Sequence, residues 1–100
     1  MKREVRVAVK WLLRDPAGQV PVWKRYWRPV RFPGESLSED WFSLIVDLDG
    51  SPDPEGNQIG VARFFVDEAP QEKLSLGQRF TLYEGHQPTM EGVVTEILRT

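Results

Sequence analysis

Apolar and polar residues alternate along the first part of the chain. From Glu4 to Arg14 every odd position is apolar, and the even positions are mostly charged. A period of two residues is typical of a half-buried β-strand that turns one face to solvent. The pattern therefore predicts a strand over residues 4–14, with its charged face outward.

Further strand patterns follow at short spacing, separated by segments that contain Gly and Pro. The run 40–48 is almost continuously apolar, which indicates a strand covered on both faces. Residues 61–66 alternate, and the runs 79–83 and 93–98 are rich in β-branched and aromatic residues, as a hairpin of two antiparallel strands would be. The connecting segments are predicted as turns or loops over 15–18, 33–36, 49–60 and 67–77. About six short strands predict one all-β domain over residues 1–100, either a barrel or a sandwich.

The stretch from Val20 to Phe32 interleaves aromatic residues with cations. Pro21, Pro29 and Pro33 interrupt it, and proline cannot donate to a strand ladder. We therefore predict a short strand or extended loop at the edge of a sheet.

Composition narrows the classes of function. The chain contains no cysteine, which excludes thiol catalysis, Cys-ligated zinc and iron–sulfur clusters and is compatible with a reducing compartment. Its first residues lack the apolar core of a signal peptide, and no run is long enough for an apolar membrane-spanning helix. We expect a soluble cytoplasmic protein with no membrane partner.

Charge is unevenly distributed along the chain. Residues 1–35 carry a net charge of +6 and residues 36–100 a net charge of −8. The basic third could form a patch for an anionic partner. Alternatively, the two parts could neutralise each other through opposite-charge pairs on neighbouring strands.

Few residues have the types and spacing that catalysis or metal binding requires. The single histidine, His86, lies beside Glu84 and Glu91, but in the turn of the predicted hairpin, where a solvent-exposed histidine is expected. The acidic run 47–55 resembles a calcium loop, but its prolines and glycine do not fit the EF-hand register. No phosphate-binding or dinucleotide fingerprint is present. We predict no enzyme, no metal site and no cofactor.

The aromatic and cationic stretch 23–32 is the strongest candidate for binding. Three interpretations are open: the aromatic side chains pack in a small barrel while the cations reach outward, they form a protein interface, or they stack nucleic-acid bases. The candidate contact surface comprises Trp23, Lys24, Arg25, Tyr26, Trp27, Arg28 and Arg31.

The C-terminal residues carry a resemblance to a known family. Arg79, Phe80, Leu82, Glu84 and Gly85, followed by Gly92-Val93-Val94, resemble the closing hairpin of the third, C-terminal domain of elongation factor Tu. The approach Leu74–Gly77 and the first strand, Val5–Leu13, are also similar to that domain. The segment between them matches the family at Gly18, Pro21, Lys24, Tyr26, Arg28 and Pro29.

The resemblance implies a closed six-stranded antiparallel Greek-key β-barrel. It also implies a domain that occurs without the GTP-binding domain of the factor, so we expect no GTPase activity and no bound nucleotide. In the family this domain contacts the T-arm of aminoacyl-tRNA, the GTPase domain and the exchange factor. This chain has different residues at several positions where the family has its tRNA-contacting residues or other residues of the hairpin. They are Gln19, Val30, Tyr83, Gln87 and Met90.

The leading hypothesis is therefore a non-catalytic barrel that binds another protein through the candidate contact surface. The alternative is binding of tRNA or structured RNA through the basic N-terminal third, with an affinity that falls steeply with salt.

Overall fold

Six antiparallel strands close into a barrel in the computed structural model, which describes residues 2–36 and 41–100. A short 3-10 helix, Gln71–Lys73, lies between the fourth and fifth strands. The strands are β1 (Glu4–Trp11), β2 (Arg25–Arg31), β3 (Phe42–Asp49), β4 (Asn57–Phe64), β5 (Arg79–Glu84) and β6 (Gln87–Arg99).

The order of strands around the barrel is β1-β4-β3-β2-β5-β6, and β6 returns to β1. Strands β2, β3 and β4 follow one another as hairpins, and β1 lies beside β4, which is a Greek-key arrangement. The prediction of a closed six-stranded antiparallel barrel is confirmed. No helix among the described residues is both long and apolar enough to cross a bilayer.

The core lies inside the barrel and is formed by alternate residues of every strand. Val5, Val7, Val9 and Trp11 of β1 are all at most 4% exposed, which confirms the predicted alternation. Each such side chain contributes about 1.5–3 kcal/mol when it leaves water. The largest fully buried side chains from the other strands are Tyr26, Leu44, Phe64, Phe80, Leu82 and Met90.

Strand β1 ends at Trp11, three residues before the predicted end at Arg14. The backbone N–H groups of Leu12 and Leu13 both donate to the carbonyl oxygen of Thr89, at 2.9 and 3.2 Å. Two successive donors on one acceptor cannot continue a regular ladder, because neighbouring strand N–H groups point in opposite directions. The chain therefore leaves the sheet here, although Leu13 still packs against the core.

Strand β4 begins at Asn57, so the predicted loop over residues 49–60 was wrong in its last four residues. The polar Gln58 points inward because its amide is satisfied there, accepting from Trp11 Nε1 at 2.9 Å and donating to the Gly50 carbonyl at 2.8 Å. A Cβ at Gly60 would lie 2.6 Å from the carbonyl oxygen of Asp47, so a residue without a side chain fits against β3. Both residues look like loop residues in sequence and are strand residues through their tertiary contacts.

Strand β6 begins at Gln87 and is much longer than the predicted run 93–98. A two-residue turn, Gly85-His86, joins it to β5, and Gly85 has a φ of 62° at the first turn position, as in a type II′ turn. Strand β3 begins at Phe42, and Asp40, where the prediction began, lies outside the described residues.

Strand β2 is not at an edge, so that prediction was wrong. The carbonyl oxygen of Lys24 accepts from Leu48 N–H at 2.8 Å, which shows that even-numbered residues here direct their backbone groups toward β3. Pro29 is odd-numbered, so its missing N–H falls on the side away from β3 and removes no bond from that ladder. On that other side β2 pairs with β5 only at Val30 and Arg31. The incomplete pairing explains how a proline fits within a closed barrel.

Candidate interaction surface

The register of three strands assembles one continuous outer surface. Trp27 of β2 lies opposite Ile45 of β3, which lies opposite Arg63 of β4. The neighbouring row is formed in the same way by Arg25, Asp47 and Val61. We call this surface the Trp27 face, and it comprises Arg25, Trp27, Pro29, Ser43, Ile45, Asp47, Val61, Arg63 and Phe65.

The centre of the Trp27 face is apolar. Trp27 is 50% exposed and Phe65 is 56% exposed, whereas Ile45 between their strands is only 8% exposed. Phe65 follows β4 directly, and its N–H donates to the Ser43 carbonyl at 2.9 Å, which holds it beside β3. Large exposed apolar side chains that share one face are typical of an interaction site.

Asp47 connects two arginines at one end of this face. Its Oδ1 accepts from Arg25 Nε at 2.5 Å, and its Oδ2 accepts from Arg63 Nη1 at 2.8 Å. The hydrogen bond from Arg25 is the main cause that lowers the pKa of Asp47 below its ordinary value, and Arg63 acts in the same direction. One carboxylate thus holds two guanidinium groups in place and leaves an excess of positive charge.

Arg28 lies at the gap between β2 and β5, where the backbone ladder is incomplete. Its Nη1 donates to the Trp27 carbonyl at 2.7 Å, and its Nε lies 3.6 Å from Glu84 Oε2 on β5. Its guanidinium carbon is also 4.7 Å from the centre of the Tyr26 ring. Arg28 therefore lies on the same side of β2 as Tyr26 and reaches Glu84 across this gap. Lys24 is exposed just before β2 begins.

The structure separates the remaining predicted contact residues from this face. Tyr26 is completely buried, and its hydroxyl donates to Thr89 Oγ1 at 2.7 Å inside the barrel. Trp23 is 41% exposed but packs edge-on against Tyr26 at the end of the barrel, with 5.3 Å between ring centres. For Tyr26 the core-packing interpretation holds, because a fully buried side chain cannot touch a partner.

Arg31 is likewise covered, with 6% of its surface exposed. Its guanidinium carbon lies 3.8 Å from the centre of the Trp41 ring, which in turn contacts Tyr83 edge-on at 5.4 Å between centres. Arg31 therefore belongs to an outer stack that joins β2, β3 and β5. Of the seven predicted residues, only Arg25 and Trp27 belong to the Trp27 face, while Lys24 is exposed just before β2.

Sequence reasoning missed the partners that complete the face. Ile45, Asp47, Arg63 and Phe65 come from two other strands, and only strand pairing brings them beside Trp27. One signal was available, because the alternation over 61–66 already placed Arg63 and Phe65 on the side opposite to Phe64.

The other candidate sites have ordinary structural roles. His86 is exposed in the β5–β6 turn, and over residues 2–36 and 41–100 no hydrogen bond or ion pair involves its ring. Asp53 caps its own loop by accepting from the N–H groups of Glu55 and Asn57 at 2.9 and 2.8 Å, and chiefly the Asn57 bond lowers the pKa of Asp53. In the described part of the chain no three His, Cys, Asp or Glu side chains are placed to hold a metal ion.

A shallow groove of about 440 Å³ lies elsewhere, on the outer side of β1, β5 and β6. It is lined by Ala8 and Val93 at its centre and by Lys10, Arg79 and Glu91 around it. It presents no exposed aromatic ring. The Trp27 face is therefore the better candidate for an interaction surface.

Comparison of the chain with protein-family models and with curated proteins finds no match to either.

Proposed function

We propose that this protein is a non-catalytic β-barrel interaction module of the elongation factor Tu C-terminal type, which binds another protein through the Trp27 face. The observation that carries the proposal is that one outer surface presents two half-exposed aromatic residues, Trp27 and Phe65, together with two arginines, Arg25 and Arg63. Tryptophan and arginine are the residue types that most often dominate the energy of protein interfaces.

The hairpin residues that carry the family resemblance also have clear structural roles. Phe80, Leu82 and Val94 are at most 2% exposed and fill the barrel. Gly85 forms the tight turn, and Gly92 lies directly against the ring of Phe80. The residues that carry the resemblance are thus the ones that fill and close this barrel.

A protein partner is favoured over RNA because carboxylates lie beside three cations of the basic N-terminal third and reduce its positive charge. Arg6 lies 3.4 Å from Glu96 on β6, and Arg25 and Arg28 bind Asp47 and Glu84. Such pairs join the basic and acidic parts of the chain across neighbouring strands, which was the second interpretation of the uneven charge. Strong RNA binding instead needs several cations that are available to phosphates.

Site-specific photocrosslinking in living cells tests this proposal. A photoreactive phenylalanine analogue at Trp27 should give a crosslinked polypeptide that is resistant to ribonuclease. The same analogue at Leu98, an apolar residue of β6 that is 40% exposed, is the matched control. Identical products at both positions, or products at Trp27 that ribonuclease removes, would contradict the proposed function.

A further inference from the structure

We propose that the segment bound by the Trp27 face is an acidic, extended protein segment that places a carboxylate on Arg25 and an apolar side chain on Trp27. This inference rests on the proposed function and adds the chemistry of the partner. It follows from the local charge, from the hydrogen-bond donors that remain on Arg25, and from the spacing of the two residues.

One charged cluster on the Trp27 face is positive, within a chain whose net charge is −2. It consists of Arg25 and Arg63, which share the single carboxylate of Asp47. A carboxylate of a partner is therefore complementary to this cluster.

Arg25 retains donors for a second carboxylate. Its Nε is the atom that binds Asp47, and its side chain is 54% exposed. A guanidinium has five N–H donors, and its two terminal nitrogens form a fork that matches the two oxygens of a carboxylate. Asp47 thus fixes the orientation of Arg25 while the outer fork stays accessible from solvent.

The spacing along β2 defines the conformation of the partner. Arg25 and Trp27 are two residues apart on one strand and point outward, so their Cα atoms lie about 7 Å apart. An extended segment has the same repeat, so an Asp or Glu two residues from an apolar residue matches both positions. Ile45, opposite Trp27 on β3, adds apolar surface beside that side chain.

The same arginine fork could hold a phosphate of RNA, but the centre of the face favours a protein segment. Ile45, an aliphatic residue, lies opposite Trp27, and the excess of one positive charge on the face is small for a nucleic-acid surface. Bulk tRNA is therefore included as a competing probe in the test.

Nuclear magnetic resonance titrations of the ¹⁵N-labelled full chain test the inference. The probe is a short soluble peptide with a leucine two residues from a glutamate on either side and serine elsewhere. The matched peptide has glutamine in place of both glutamates. We expect the acidic peptide to shift the Trp27 indole and the amides of Arg25, Ile45 and Arg63, and to bind about tenfold more tightly than the glutamine peptide, because charge-assisted bonds are the stronger ones.

Two variants test whether Arg25 causes the preference for the acidic peptide. Arg25→Gln should abolish most of the preference for the acidic peptide while the remaining resonances keep their positions, which shows that the barrel stays folded. Arg99→Gln, at the exposed end of β6, should keep the full preference. Rising salt should weaken the binding of the acidic peptide and leave the affinity for the glutamine peptide unchanged.

Several outcomes would overturn the inference. They are equal affinity for the two peptides, shifts that lie away from the Trp27 face, absence of shifts with either peptide, and tRNA that shifts the same resonances at lower concentration. A ribonuclease-resistant crosslink at Trp27 combined with equal peptide affinities would leave the proposed function standing and refute only the acidic partner.

Discussion

The ring of Phe80 occupies the space that a side chain at Gly92 would need. The two residues lie opposite each other on β5 and β6, and a Cβ at Gly92 would be 2.4 Å from Cζ of Phe80. That distance is well inside van der Waals contact, so a side chain at position 92 requires the ring to move. The closing hairpin therefore depends on a large and a small residue facing each other.

We predict that Gly92→Ala lowers the free energy of unfolding by about 1–3 kcal/mol, the usual cost of overpacking a core. Urea unfolding followed by tryptophan fluorescence measures it. Phe80→Leu serves as the second site of a double-mutant cycle. The two substitutions should be non-additive by about 0.5–3 kcal/mol, because a smaller residue at position 80 makes room for the new methyl group. Strictly additive effects would show that the clash does not decide the stability.

A second prediction concerns the hydrogen bonds inside the barrel. The Tyr26 hydroxyl donates to Thr89 Oγ1, which donates to the Leu82 carbonyl at 3.3 Å. Tyr26→Phe should lower the free energy of unfolding by about 1 kcal/mol, since it removes one buried hydrogen bond. Tyr83→Phe is the matched control, because the half-buried Tyr83 hydroxyl makes no hydrogen bond within the described residues. Equal losses in both variants, measured by urea unfolding, would contradict a specific role for the Tyr26 bond.

The third prediction is a pH dependence that originates at Asp47. Its pKa is lowered in the folded protein, so its ion pairs stabilise the fold above its ordinary pKa of about 3.9, and this contribution is lost as the pH falls through the folded pKa. Asp47→Asn should therefore be less stable than the parent near neutral pH, and the difference should narrow below about pH 4. Urea midpoints measured from acidic to neutral pH provide the comparison.

Asp49→Asn is the control for this pH series. Asp49 lies on the same strand but is exposed and makes no side-chain ion pair in the part of the chain that the structure describes. Its variant should follow the curve of the parent protein. If the difference in urea midpoint between the Asp47→Asn variant and the parent stayed constant down to low pH, the pH dependence could not be assigned to Asp47.

The fourth prediction compares how much each residue of the β5–β6 turn contributes to stability. Gly85 has a positive φ that residues with a side chain rarely adopt, so Gly85→Ala should cost about 1 kcal/mol of stability. His86→Ala should change stability by less than about 0.5 kcal/mol, because the side chain is exposed. Urea unfolding of both variants checks this order. A larger loss for His86→Ala would indicate a role for the histidine that the geometry does not show.

Part of this fold could be predicted because its signals are local. The alternation of Val5, Val7 and Val9 with charged residues reflects a repeat of two residues, which every strand has whatever its neighbours are. The turn at Gly85 is also local, since it depends on the conformational freedom of one glycine. The polar Gln58 and small Gly60 gave no such signal, because they are strand residues only through contacts with Trp11, Gly50 and Asp47.

The candidate surface shows the same division between local signals and tertiary contacts. The sequence by itself determined that about six strands form one all-β domain and that Trp27 belongs to a stretch rich in aromatic residues and cations. The tertiary structure decided which of those residues face outward, burying Tyr26 and covering Arg31 with Trp41. It also placed Asp47 between Arg25 and Arg63, which are 22 and 16 residues away along the chain. Strand register depends on the packing of all six strands at once, so no local pattern could have specified that contact.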